Sequence, residues 1–471
     1  MAERYDLLIV GMGSGGMTAA ELASTIGVRT AVVERGRVGG DCLWTGCVPS
    51  KALLASAKAA HTMRHADHYG LTSVDPEIDT AKVWARIKAV QQAIATSDDD
   101  PARYTEMGVD IVRGTAHLVG PNEVVVDGVR RMQARYILVC TGSRPAVPDM
   151  EGLTEAGFLT SESIFELERA PDSVVLIGGG PIGIEMAQGL TRLGVRTTVL
   201  QKGPRILPRD EPDLVDILAG RLRDEGVDLR VNTRTDRVTI EHGKKTVHGS
   251  EGADPANWRA TELLVAAGRR PNVEDLGLEE LGVVVGPKGV QVDERLRTDV
   301  ASIYAAGDVA GRYLFTHSAG YEAVRAVRDM FFPGKGKAGE TVPWCTFTDP
   351  ELAHVGLTAA EAEERHGDDV AVWRQDLTHS DRARTESATA GAIIIVTAKD
   401  KVVGAHALTP SAGELIHELA LAVREELKLN ALAGLIHVYP TLASGIGQLA
   451  AEAAYEKAGK LRWLVRKGRR F

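Results

Sequence analysis

Residues Tyr5–Glu34 read YDLLIVGMGSGGMTAAELASTIGVRTAVVE. Tyr5–Val10 is a short buried-strand pattern that runs into Gly11, Gly13 and Gly16. A helical stretch continues to Gly27, and a second strand, Thr30–Val33, ends at Glu34. Together these make a βαβ unit with G-x-G-x-x-G at its first turn and an acid about twenty positions on. The glycines let backbone N–H groups at a helix N-terminus approach a pyrophosphate, and Glu34 can accept hydrogen bonds from a ribose. The pattern returns in Ser173–Leu200, SVVLIGGGPIGIEMAQGLTRLGVRTTVL, with Gly178, Gly180 and Gly183. Two such units imply two bound dinucleotides. The second strand pair ends at Gln201 and Lys202 instead of an acid. An acid there would repel a 2′-phosphate, whereas an amide beside Lys202, with Arg205 nearby, accommodates one. NADPH is therefore expected over NADH; the competing reading makes Lys202 and Arg205 solvated loop charges.

The chain has 471 residues, enough for about three domains. Its net charge of −9 asks for no nucleic-acid partner. No signal peptide and no run of about 18 apolar residues is evident, so a soluble cytoplasmic protein is expected. Two of the four cysteines, Cys42 and Cys47, lie in Gly39–Lys51, GGDCLWTGCVPSK. On a regular helix a five-residue step rises about 7.5 Å. A disulfide needs Cα atoms within about 6.8 Å, so a bridge requires the backbone to bend around Thr45 and Gly46. In a reducing cytosol so close a pair is catalytic or metal-binding more often than structural. No second pair or matching histidines follow at zinc spacing, and no metal site is expected. His61, His65 and His68 share one helical face and read as an exposed helix end. Cys140 and Cys345 have no local partner and are expected to pack as small buried hydrophobes.

Further motifs follow in order: CTGSRP (Cys140–Pro145), AAGRRPN (Ala266–Asn272), YAAGDVAG (Tyr304–Gly311) and VPWCTFTDPELAHVG (Val342–Gly356). With the two fingerprints and GGDCLWTGCVPSK, the series resembles the class I pyridine nucleotide-disulfide oxidoreductases over nearly the whole chain. That family of flavoproteins includes dihydrolipoamide dehydrogenase, glutathione reductase and mercuric reductase. The resemblance implies an α/β fold with two Rossmann-like dinucleotide-binding domains and a C-terminal α+β dimerisation domain. The expected limits are 1–150 and 275–340 for FAD, 151–274 for NAD(P), and 341–471 for the interface domain of a homodimer. FAD would be held by Gly11, Gly13, Gly16, Glu34, Gly40, Thr141, Gly142 and Asp308. NADPH or NADH would be held by Gly178, Gly180, Gly183, Gln201, Lys202 and Gly268. Lys51 would sit by the flavin ring, paired with Glu185; a cation there stabilises the reduced ring, and a buried lysine needs a counter-charge. Cys42 and Cys47 would form a redox-active disulfide, with Cys47 in charge-transfer contact with flavin and Cys42 exchanging with substrate. Strand-like Ala392–Thr397 and helical Ala412–Glu426 fit the final domain.

The chain departs from the family near its C-terminus. Disulfide-reducing members carry His-x-His-Pro-Thr-x-x-Glu, whereas this chain reads HVYPTLAS from His437 to Ser444. Tyr439 takes the catalytic histidine's place and would act across the dimer; Ser444 takes the glutamate's. Histidine, near pKa 6.5, both takes and returns a thiol proton at neutral pH, and tyrosine, near 10, is a poor base. His437 is not assigned as the base. Mercuric reductase also has a tyrosine in this region, but its C-terminal cysteine pair has no counterpart in the closing LRWLVRKGRRF. The expected activity is NAD(P)H oxidation, with electrons passed through the cysteines to a metal ion, which suits thiolates, or to a disulfide. The alternatives are dihydrolipoamide dehydrogenase with altered acid/base chemistry, a quinone reductase, and a non-catalytic flavin redox sensor. The basic segment Lys460–Arg470, with Trp463, Leu464 and Val465, reads as a solvated end more readily than as a membrane contact.

Overall fold

The computed structural model describes residues 3–334, 338–339, 341–460 and 463. The basic C-terminal segment therefore lies, apart from Lys460 and Trp463, outside the described residues.

Leu7, Leu8 and Ile9 are fully buried. Such a continuous apolar run belongs to a parallel strand covered on both faces. Strand Glu3–Val10 sits between Thr30–Glu34 and Arg130–Val139, parallel to both, in a seven-stranded sheet. Ile303–Ala305 joins the same sheet beside Arg130–Val139, so the chain returns to it after a long excursion. The excursion builds a second sheet, in which Glu262–Val265, Ser173–Ile177, Arg196–Leu200 and Asp228–Arg230 run parallel. A three-stranded antiparallel sheet (Thr233–Glu241, Lys244–Glu251, Asp254–Ala260) packs beside it. The two parts are joined where Ser143–Pro145 pairs with Arg269–Pro271.

Each fingerprint turn is followed by a helix, Ser14–Thr25 and Pro181–Arg192. At Gly16 a Cβ would overlap the carbonyl oxygen of Gly11, and at Gly183 that of Gly178. Glycine at these two positions lets the helix start lie on the preceding strand.

From Trp344 onward the chain forms a five-stranded antiparallel sheet, ordered Trp344–Thr346, Glu351–Gly356, Lys401–Thr409, Ala392–Ala398, Val370–Asp376. Helix Ala412–Arg424 covers one face of it. This helix stops two residues before the expected Glu426, which takes a left-handed φ of 50°. The long helix Cys47–Arg64 crosses Pro181–Arg192; the Leu53 methyl group stands 3.2 Å from where a Cβ on Gly189 would be. That crossing sets Lys51 opposite Glu185.

Candidate active site

The cysteine segment bends where the sequence requires. Gly39, at a left-handed φ of 95°, starts a short helix, Gly40–Trp44. Thr45 and Gly46 break it, and Cys47 begins the long helix. Both cysteines are free thiols in this structure. The hydrogen bond from Cys42 pulls the exposed Cys47 thiol well below the usual range, against partial desolvation by the cleft wall. Thr316, whose Oγ1 is 3.4 Å from Cys47 Sγ, and the Lys51 charge act in the same direction. Cys47 also occupies the first turn of a helix, which favours a thiolate. Cys42 shifts the other way: its hydrogen bond to Cys47 and its burial keep it protonated.

Lys51 lies one turn after Cys47, on the same helical face. Its Nζ is 2.8 Å from Glu185 Oε2 and 4.4 Å from the centroid of the Phe347 ring. Burial opposes the ammonium charge, but the Glu185 carboxylate outweighs it and raises Lys51 above its ordinary value. The other Glu185 oxygen accepts the Phe347 N–H at 2.8 Å.

These groups open onto a cleft of about 1860 Å³. Gly11, Gly13, Glu34, Gly40, Thr141, Gly142 and Asp308 line one end; Gly178, Gly180, Gln201, Lys202 and Gly268 line the other. Gly16 and Gly183 are packed behind the wall and serve the close approach described above. The cleft suits two dinucleotides. A Cβ at Gly180 would meet nothing within 4 Å, so the N-terminus of the second fingerprint helix faces open space of the kind a pyrophosphate fills. Glu34 tightens its own fingerprint loop by accepting Met12 N–H at 2.5 Å and Gly36 N–H at 2.6 Å. Gln201 does the same for the second loop, its Oε1 accepting Gly179 N–H at 3.0 Å. Asp308 Oδ2 accepts Ser143 Oγ–H at 2.5 Å, and burial raises its pKa.

Several wall residues escaped the sequence reading. Arg269 bonds to Asp41 Oδ2 at 2.6 Å and to Ser143 Oγ at 2.7 Å, tying the exit from the second dinucleotide unit to the residue before Cys42. The AAGRRPN motif carries that signal. Arg209 lines the cleft with its guanidinium 4.7 Å from the Trp344 ring, whereas Arg205 is not on the wall. Cys140 is buried as expected; Cys345 is only half-buried, on the cleft wall close to Lys51 and Glu185, and partial desolvation pushes its thiol up.

A second cavity, of about 470 Å³, has Cys42 on its wall with Ser14, Thr18, Glu21, Asp98, Asp99, Arg103, Thr316 and His317. Among the described residues Cys42 lines both cavities, and Cys47 the larger one. Glu21 and Arg103 pair at 2.8 Å, which leaves Asp98 and Asp99 as the excess charge.

Tyr439 lines neither of the two cavities that hold the cysteines. It is 69% exposed, and its hydroxyl donates to Asp381 Oδ2 at 2.6 Å, a bond that raises its pKa further. His437 Nε2 is 3.2 Å from both carboxylate oxygens of Glu418. Of the row of His61, His65 and His68, His68 is exposed as expected, and the correction falls on His61 and His65, both half-buried, with His61 Nε2 accepting from Arg221 at 2.8 Å. Burial lowers His61 to about 4. Among the described residues no helix is long and apolar enough to cross a membrane.

Comparison with known proteins extends these observations to the whole chain. The profile of the pyridine nucleotide-disulphide oxidoreductases matches residues 5–323, and that of their dimerisation domain matches 342–450. A mercuric reductase of Streptomyces lividans is 35% identical over 97% of this chain and 98% of its own length. A dihydrolipoyl dehydrogenase of Thermus scotoductus is 34% identical over 96% and 98%. Among solved structures, the Cu(II) complex of the HOCl-induced flavoprotein disulfide reductase RclA from Escherichia coli superposes with a TM-score of 0.85 at 26% identity, covering 96% of this chain and 99% of that one. The paired dinucleotide cradles, the cysteine segment at their junction and these matches make the chain a member of the pyridine nucleotide-disulphide oxidoreductase family, an α/β enzyme that binds FAD and NAD(P)H.

Proposed function

We propose that this enzyme takes electrons from NADPH at the large cleft and delivers them through Cys42 and Cys47 to an acceptor that enters by the second cavity, with a soft metal cation favoured over a disulfide. The observation that carries the reading is the sharing of Cys42 between the two cavities. Bound FAD and NADPH supply the two-electron chemistry that side chains lack. Lys51, its charge secured by Glu185, presents a cation to the cleft. Cys47 provides a thiolate on the cofactor side, and Cys42 meets the acceptor. When the acceptor gains two electrons, the two thiols lose two electrons and two protons and join as a disulfide. The acidic excess of Asp98 and Asp99 supports a cationic acceptor, and among the relatives are proteins named mercuric reductase. Tyr439, hydrogen-bonded to a carboxylate, is poorly suited to the acid/base role that dihydrolipoamide chemistry needs.

Lys202 and Arg209 on the cleft wall, with no acid at Gln201, support NADPH over NADH. The cofactor and catalytic roles given above to individual residues, and the limits 1–150 with 275–340, 151–274 and 341–471, belong to the same proposal. So do a homodimer with Tyr439 facing the other copy's cysteines, and a cytoplasmic location, where a reducing environment maintains the thiol pair.

The test is a panel of Hg²⁺, Cu²⁺, lipoamide, glutathione disulfide and quinones, run on the native enzyme and on Cys42→Ser. Metal and disulfide turnover should vanish in the variant; metal reduction at the native rate would overturn the mechanism. Anaerobic NADPH titration addresses the redox-sensor alternative, since an enzyme gives a two-electron-reduced species with long-wavelength thiolate-to-flavin absorbance.

A further inference from the structure

One stripe of helix Pro181–Arg192 makes consecutive contacts with the segment Phe347–Asp349. Glu185, Gln188 and Arg192 fall at i, i+3 and i+7, so their side chains leave the same helical face. Glu185 Oε1 takes the Phe347 N–H. Gln188 is fully buried; its Oε1 accepts Asp349 N–H at 2.8 Å while its Nε2 donates to Asp349 O at 2.9 Å and to Glu225 Oε2 at 3.2 Å. Arg192 Nη1 reaches Asp349 Oδ2 at 2.9 Å, and its other nitrogens hold Glu225 at 2.7 and 2.8 Å. The remaining oxygen of Asp349 accepts from Lys58, two turns beyond Lys51 on the cysteine helix, at 3.1 Å.

The geometry points to a positioning role: Gln188, backed by Arg192 and Asp349, holds the segment 347–349 so that the Phe347 N–H fixes one Glu185 oxygen and leaves the other aimed at Lys51. This inference rests on the placement of Lys51 beside the flavin. A buried glutamate with one partner can rotate; with a backbone N–H on one oxygen and an ammonium on the other, it has one orientation. Gln188 supplies an acceptor to the N–H and a donor to the C=O of one residue, Asp349, and no apolar side chain of its size reproduces that. Arg192 is buried and its partner Asp349 half-buried, and the desolvation cost makes such a charge pair a weak source of stability. Its geometric effect is to clamp the far end of the segment.

The experiment is a double-mutant cycle on the FAD-loaded enzyme with Gln188→Leu, Glu185→Gln and the double variant. The readouts are the midpoint potential of bound flavin by dye equilibration and the thiolate-to-flavin absorbance of the two-electron-reduced protein; thermal stability is recorded alongside. Gln188→Leu should shift both readouts in the same direction as Glu185→Gln, by at least a third as much, and the double variant should match Glu185→Gln alone. A shift in Glu185→Gln with none in Gln188→Leu, or shifts that add, overturns the inference whatever happens to thermal stability. A Glu185→Gln variant at the native potential overturns the placement of Lys51 and the inference together. Should Gln188→Leu fail to fold, Asp349→Asn decides: it keeps the backbone bonds, removes the charge that Arg192 and Lys58 share, and should give a smaller shift of the same sign. A native potential and absorbance in Asp349→Asn would then overturn the inference.

Discussion

Cys47 and Cys42 show how one hydrogen bond divides labour between like side chains. Because the Cys47 pKa is lowered, its thiolate is present above that lowered value and is lost as pH falls through it. In Cys42→Ser, where a hydroxyl still donates, the ultraviolet absorbance of the Cys47 thiolate should titrate with a midpoint below the ordinary value of about 8.5. Thr316→Val should raise that midpoint; an unchanged midpoint would remove Thr316 from the account. Charge in the second cavity is testable in the same way. Asp98→Asn with Asp99→Asn should raise KM for a divalent metal acceptor roughly ten-fold at low ionic strength and much less at high salt, as screened Coulomb attraction requires.

Elements carry these residues into place, and the two fingerprint helices allow a controlled contrast. Gly16→Ala should abolish retention of FAD, read as flavin absorbance per protein, because its Cβ would collide with Gly11. Gly183→Ala, colliding with Gly178, should leave flavin in place and raise KM for NADPH more than ten-fold. Leu53→Ala, at the crossing of the cysteine helix with the second fingerprint helix, should cost about 2–5 kcal/mol in denaturant unfolding, the range for a large-to-small change in a fully buried position. These elements were legible in advance because their signals are local. Leu7–Val10 is a continuous apolar run, and Cys47 and Lys51 are spaced one helical turn apart. What stayed hidden needed the chain folded. The Phe347 N–H and Glu185 are 162 residues apart, as are few pairs that a spacing rule could find. Cys345 resembles a core thiol until its strand is laid against the cleft. In the sequence Arg205 reads as the nearby cation and Arg209 is passed over, whereas the path of the loop through Pro208 puts Arg209 on the wall.

At the scale of the whole molecule, the segment Leu435–Tyr439 leaves Ile436 94% and Val438 76% exposed. Apolar groups so displayed, within a match to a dimerisation domain, are suited to burial by a second copy. Ile436→Glu should shift the enzyme from dimer to monomer in sedimentation velocity and should lower acceptor turnover more than flavin content. The two openings that converge on Cys42 have a kinetic corollary. On the proposed route electron donor and electron recipient arrive through different doors, so neither blocks the other's path. A dead-end analogue of the recipient should not compete with NADPH in initial-rate patterns, and pyridine nucleotide product should not compete with the recipient.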